Sequence, residues 1–216
     1  MEARRHAILD AMGVTAYVAR HAAPGSAGST DWEELAGTVR NCRLCGLCET
    51  RTQTVFGTGD RSARLMVVGE APGAEEDRQG EPFVGRAGML LNSMLRAAGF
   101  ERGQVYIANV LKCRPPNNRD PSLEESDRCL PYLRRQIELV GPAAILCVGR
   151  IAAQRLLGCE ETLGRLRGRV HRLGEVPVVV TYHPAYLLRS PGEKRKSWAD
   201  LQLALRVLGG ADGHGA

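Results

Sequence analysis

The residues best able to do chemistry in this sequence are seven cysteines and three polar segments that each follow an apolar run. The cysteines stand at 42, 45, 48, 113, 129, 147 and 159. Their odd number, in a chain without a secretion signal, argues against a disulfide framework. Metal ligation, cluster ligation or plain burial remain. Cys42-x2-Cys45 lies about 70 residues before Cys113, and Cys129 follows Cys113 by 16. A zinc ribbon would supply a second short knuckle, so this spread weakens zinc. Four thiolates delivered by a loop, a strand end and a helix suit a [4Fe–4S] cube. Cys42, Cys45 and Cys48 also open like a ferredoxin run, but position 52 is Thr. Spacing alone therefore leaves Cys48 competing with Cys42 or Cys45. Cys147 sits inside an apolar run and reads as packing. Cys159 receives no role.

The polar segments are GEAPGAEED at 69–77, Asn109 with LKCRPP at 111–116, and HPAYLLR at 183–189. Each has an ordinary reading. His183 alone is a strand-end histidine with a local hydrogen bond, Asn109 a turn amide, and Phe83 a core ring. Glu70, Glu75, Glu76 and Asp77 alone are a solvated turn. The GTG at 57–59 precedes a strand and lacks a third glycine, so it is no dinucleotide fingerprint, and no P-loop motif occurs.

The elements that must position these segments alternate between strand and helix. LMVVG (65–69), VYIANVL (105–111), AAILCVG (143–149) and VPVVVTYH (176–183) read as strands. Helical spacing appears at 86–98 and 150–157, and a closing helix at 193–208. Ser122 and Glu125 cap a helix whose Leu130, Leu133, Ile137 and Val140 share a face. Thr30 and Glu33 cap another that runs to about Arg40. The fold class is therefore α/β, a mostly parallel four-stranded sheet with helices on both faces. Ligands of such sheets bind beyond the carboxyl ends of the strands, where the three polar segments meet.

Residues 1–30 read as an arm and linker, 31–208 as one domain and 209–216 as a disordered tail. Of 216 residues, 44% are apolar, which suffices for one substantial core. No apolar run approaches the roughly 20 residues needed to span a bilayer. The expectation is a cytoplasmic protein with no membrane partner. The formal charge of +5 suits a polyanionic partner. Base is clustered at Lys112, Arg114 and Arg119, at Arg165, Arg167, Arg169 and Arg172, and at Arg189, Lys194, Arg195 and Lys196. Any one of these clusters could equally be a solvated face.

GEAPGAEED, GEPFVGRAG (80–88), VYIANVLKCRPPNNR (105–119) and HPAYLLR, with cysteines at 42, 45, 113 and 129, together resemble the family 4 uracil-DNA glycosylases. The resemblance covers about residues 40–207. It implies a uracil-DNA glycosylase-like fold and an N-glycosyl hydrolase acting on uracil-containing DNA, here expected as a monomer. It implies a [4Fe–4S] cluster on Cys42, Cys45, Cys113 and Cys129, structural rather than redox-active, and so sets Cys48 aside. Gly69, Glu70 and Ala71 correspond to the first catalytic motif, and Phe83 to the ring that stacks on uracil. Asn109 corresponds to the base-reading amide, and His183 to the histidine facing uracil O2. Leu187, Leu188 and Arg189 correspond to the loop that enters or grips DNA, with Arg114 a further contact.

Two positions depart from the wider superfamily. Ala71 stands where other branches carry the aspartate that positions water, which leaves Glu70 as the nearest carboxylate. Gly73 stands where others carry an aromatic that excludes thymine, and Glu76 is the group expected to fill that gap. The chemistry tolerates the first change. Breaking an N-glycosidic bond puts negative charge on the departing base, so a donor at O2 matters most. Asn109 can donate to uracil O4 and accept from N3–H, a pattern cytosine cannot match.

Overall fold

The computed structural model describes residues 32–210. The expected arm at 1–30, the Thr30 cap and residues 211–216 lie outside them. The helices are α1 (Trp32–Arg40), α2 (Leu47–Thr50), α3 (Ala74–Gln79), α4 (Arg86–Ala97), α5 (Leu123–Val140), α6 (Arg150–Leu157), α7 (Leu163–Leu166), α8 (Pro184–Arg189) and α9 (Lys194–Gly210). The strands are β1 (Thr58–Gly59), β2 (Leu65–Gly69), β3 (Tyr106–Asn109), β4 (Ala144–Val148), β5 (Val170–Leu173) and β6 (Val176–Thr181). The closing helix thus takes in Gly209 and Gly210, which the sequence assigned to a tail.

The strands form one sheet in the order β1-β3-β2-β4-β6-β5. The four expected strands are its parallel centre. The expectation of a four-stranded sheet is corrected, because β1 and β5 add antiparallel edges. Neither edge is an apolar run. β1 has two residues, and β5 reads VHRL with alternating exposure.

Strands β2, β3 and β4 are buried along their length and β6 from Val178 on, as parallel strands between helices must be. Successive side chains point to opposite faces. Met66, Val68, Ile145 and Val180 pack with Leu133 and Ile137 of α5 and Ala153 and Leu156 of α6. Leu65, Val67, Leu146 and Val179 pack with Leu91 and Leu95 of α4 and Leu201 and Ala204 of α9. Cys147 lies in the first of these layers with no exposure, as expected of a packing cysteine. A third cluster joins Leu35 and Val39 of α1 to Leu111, Tyr132, Cys113 and Cys129, with Cys42 and Cys45 against it.

Helix α5 opens as the sequence requires. Ser122 Oγ accepts from the Glu125 N–H, and the Glu125 carboxylate accepts from the Ser122 N–H. Arg119 grips the same carboxylate through both terminal nitrogens, which drives its pKa down to about 2. This fixes the loop between β3 and α5 beside the carboxyl ends of the strands.

Candidate active site and cysteine centre

A cleft of about 490 Å³ opens beyond those strand ends, and all three polar segments reach it. Glu70, Ala71 and Gly73 come from the turn after β2, and Glu76 from α3, which follows it. Asn109 comes from the end of β3, and His183, Tyr186 and Arg189 from the turn and helix after β6.

Gly69 makes the central contact possible. A Cβ there would lie 2.3 Å from Asn109 Oδ1 and 2.7 Å from Phe83 Cζ. Only glycine lets the amide and the ring meet behind the strand end. Phe83 has φ of 54°, left-handed backbone that costs a bulky residue energy. Two devices hold it. Gly88 admits the Phe83 carbonyl to within 1.8 Å of where a Cβ would stand. Arg102 donates to the carbonyls of Phe83 and Pro82 and pairs with Glu81 at 3.0 Å. Sequence reasoning missed Arg102.

Asn109 is buried, and its Oδ1 has no hydrogen-bond partner. A buried acceptor without a partner is costly, and this one belongs to a side chain that lines the cleft. The Asn109 backbone is held firmly. Its carbonyl accepts from Lys112 Nζ at 2.9 Å, and the same ammonium donates to Gln136 Oε1 at 2.6 Å. Lys112 is therefore no solvated basic residue. It is buried, and burial lowers its pKa to about 8 while the neighbouring thiols oppose that shift.

His183 lies beside Phe83, ring centroids 5.7 Å apart. Its Nδ1 accepts from the Ala185 N–H at 3.1 Å, which leaves the ring proton on Nε2. Burial lowers its pKa to about 4, with Arg189 adding to the shift and Glu76 opposing it. The imidazole is thus a neutral donor. Glu76 Oε1 accepts from the backbone N–H groups of Val84 and Gly85, both at 3.0 Å. Its Oε2 lies 2.7 Å from where a Cβ on Gly73 would be, so the missing side chain at 73 makes room for this carboxylate. Burial raises the pKa of Glu70 to about 7, Asp120 adds to the shift and Arg150 opposes it. Asp77 is not part of a solvated turn: it is buried, and both its carboxylate oxygens accept from the Thr52 N–H at 3.0 Å.

Arg114 donates to Asn118 Oδ1, within a turn where Asn117 and Asn118 both have positive φ, and Asn118 lines the cleft. Leu187, Leu188 and Arg189, the loop expected at DNA, lie on α8. Leu187 is 1% exposed, while Tyr186 and Leu188 on either side are 37% and 38% exposed. The turn of α8 points Leu187 inward.

Cys42, Cys45, Cys113 and Cys129 gather in the third cluster, and Cys48 lines the same small cavity. Donors are aimed at the sulfurs. Arg51 Nη1 donates to Cys113 Sγ at 3.0 Å, and the Lys112 N–H donates to Cys129 Sγ at 3.2 Å. Arg51 also donates to the Cys42 carbonyl at 2.9 Å. Burial pushes the Cys129 thiol up to about 12, with Lys112 opposing. Thiolates here need a cationic group among them, so the donor set fits a cluster. Among the described residues no group of three or more His, Cys, Asp or Glu side chains converges on a single metal ion. No helix among them is long and apolar enough to cross a membrane.

Residues 56–202 match the model of the uracil DNA glycosylase superfamily. The chain is 43% identical to a type-4 uracil-DNA glycosylase of Archaeoglobus fulgidus, over 79% of this chain and 89% of the relative. It is 43% identical to one of Pyrobaculum aerophilum, over 84% and 96%. It is 45% identical to one of Thermotoga maritima, over 73% and 83%. The chain belongs to the type-4 uracil-DNA glycosylases of this superfamily.

Proposed function

We propose that the cleft receives uracil flipped out of DNA and that the chain hydrolyses its bond to deoxyribose, the first step of base excision repair. The observation that carries this reading is the unpartnered Asn109 Oδ1, an acceptor in want of a donor such as uracil N3–H. The Asn109 amide nitrogen donates to uracil O4. Cytosine offers a donor at that place and no proton on N3, so the pairing fails. A site built on such bonds rejects the wrong partner by roughly 10⁴-fold or more. Phe83 stacks on the base and, with the basic rim at Arg114 and Arg189, offsets the few kcal/mol of unstacking. Leu188 fills the space the base leaves.

His183 donates from Nε2 to uracil O2 as negative charge develops there. A neutral donor needs no proton transfer to act, and one such donor is worth about 3–4 kcal/mol. Glu70 holds the attacking water, in the role the Ala71 position leaves open. Glu76, fixed by two N–H groups, closes the pocket where the thymine methyl would enter. Cys42, Cys45, Cys113 and Cys129 hold a [4Fe–4S] cluster. Such a cluster supplies cross-linking of the α1–α2 segment to β3 and α5 and no redox step. Arg51 and Lys112 offset the charge of its thiolates.

The test is base release from an oligonucleotide bearing one uracil, read by alkaline cleavage at the abasic site, with a thymine oligonucleotide as control. Cleavage of the uracil strand alone is expected. Equal cleavage of both, or of neither, would overturn the reading.

A further inference from the structure

The rim of the cleft carries a pile of planar groups that the reaction just described does not use. Tyr186 lines the cleft and is more than a third exposed. Its ring stacks on Tyr182, with centroids 5.1 Å apart and planes inclined by 24°. The Arg167 guanidinium lies 4.2 Å from the centroid of Tyr182. Both neighbours therefore lie at stacking distance from the Tyr182 ring. Arg167 is clamped in turn by Asp200, with Nε and Nη2 at 2.7 and 2.6 Å from Oδ2. That pair is almost wholly buried. Glu193 stands beside the Tyr182 hydroxyl and pairs with Lys196 at 2.8 Å. Three planes are thus anchored at Asp200, and the last of them borders the cleft.

An exposed tyrosine ordinarily samples several rotamers. Bracing this one from behind removes that freedom before any ligand arrives, which is how preorganisation raises affinity. Beside a cleft for a flipped base, the ligand an aromatic plane fits is another nucleobase. Base–aromatic stacking tolerates any sequence, because every base has a π-face. Base flipping also creates the need for it. When one nucleotide leaves the helix, the base next to it loses a stacking partner.

We propose that Tyr186, braced by Tyr182 and Arg167, is a stacking platform for the nucleobase next to the flipped uracil on the same strand. The inference rests on reading the cleft as a uracil pocket.

Binding and uracil release would be measured on oligonucleotides whose 5′ or 3′ neighbour of uracil is replaced, one at a time, by a baseless tetrahydrofuran residue. Wild type is expected to lose roughly tenfold in affinity at one of the two positions, the size of one base–aromatic stack. Tyr186→Ala should lose about as much on intact DNA and nothing further when that neighbour is removed. Tyr186→Phe keeps the plane and should keep the coupling. Wild-type affinity unchanged by either removal would overturn the platform, whatever the variants do. Losses that simply add in Tyr186→Ala would overturn it too, as would Tyr186→Phe behaving like Tyr186→Ala. Uracil release by wild type without coupling sinks the platform alone. No release sinks the reading of the cleft.

Discussion

The cleft and the cysteine centre are four residues apart along the chain, from Asn109 to Cys113, yet they are finished differently. In the cleft a buried acceptor, Asn109 Oδ1, has no partner, and a carboxylate with a raised pKa faces the space. Around the cysteines, donors already point at sulfur, from Arg51 and from the Lys112 backbone. A transient ligand must find open hydrogen-bonding atoms, and keeping them open costs stability. A permanent group can be wrapped and become part of the core. Lys112 joins the two regions, its N–H on Cys129 and its ammonium on the Asn109 carbonyl. The contrast predicts that damage to the centre acts on the whole molecule, whereas damage to the cleft acts on the reaction.

The largest effect should come from Cys113→Ser. It removes a ligand and leaves Arg51 and the buried Lys112 facing fewer thiolates. Soluble yield, iron content and the brown absorbance near about 400 nm should fall together. A soluble, folded variant with full activity would break the comparison from that side. His183→Ala comes next. Losing one donor at a developing oxyanion costs about 10²–10³-fold in kcat, and the colour and melting temperature should stay near wild type. Loss of colour in this variant would break it from the other side. Gly69→Ala should follow, with kcat/KM reduced by roughly 10²-fold. Its Cβ would strike the Asn109 amide and the Phe83 ring, two residues whose backbone carbonyls are held by Lys112 and Arg102. Gly73→Ala makes a sharper control. Its Cβ meets only Glu76 Oε2, the carboxylate oxygen that the Val84 and Gly85 N–H groups do not hold, so the loss should be smaller.

What the sequence disclosed follows from range. Met66–Val68 and Ile145–Cys147 are uninterrupted apolar runs ending in polar turns, so the parallel centre was legible. β5 was not, because Arg172 interrupts it and Val170 is exposed. Gly69, Asn109 and His183 stood out as candidates because each sits in a short motif at a strand end, and Phe83 because its motif GEPFVGRAG leads into α4. Arg102 and Arg51 were not. Arg102 acts on Phe83 across 19 residues and Arg51 on Cys113 across 62, and no local pattern marks such contacts. Lys112 looked like one base in a basic run, and only the fold turns it inward. The inward turn of Leu187 was not legible either, because it follows from the helical phase of α8, which exposes Tyr186 and Leu188 instead.

The smallest expected effect concerns Glu70, where function and stability should pull apart. Burial, aided by Asp120 and opposed by Arg150, raises its pKa from 4.5 to about 7. If its carboxylate holds the water, kcat should rise as pH goes from about 6 to 8. His183 cannot cause that rise, because it is already neutral above about 4. In Glu70→Gln the rise should vanish and kcat should fall several-fold. Stability should move the other way. A carboxyl whose folded pKa is raised favours the folded state fully below about 4.5, and that advantage is lost as pH climbs through about 7. At pH 8 the wild type holds a poorly solvated charge that the amide does not carry. Glu70→Gln should therefore melt higher than wild type at pH 8, and no higher at pH 4. A wild-type kcat flat from pH 6 to 8, with no gain in melting temperature at pH 8, would make Glu70 an ordinary turn carboxylate. The water would then be held by backbone groups of the cleft alone.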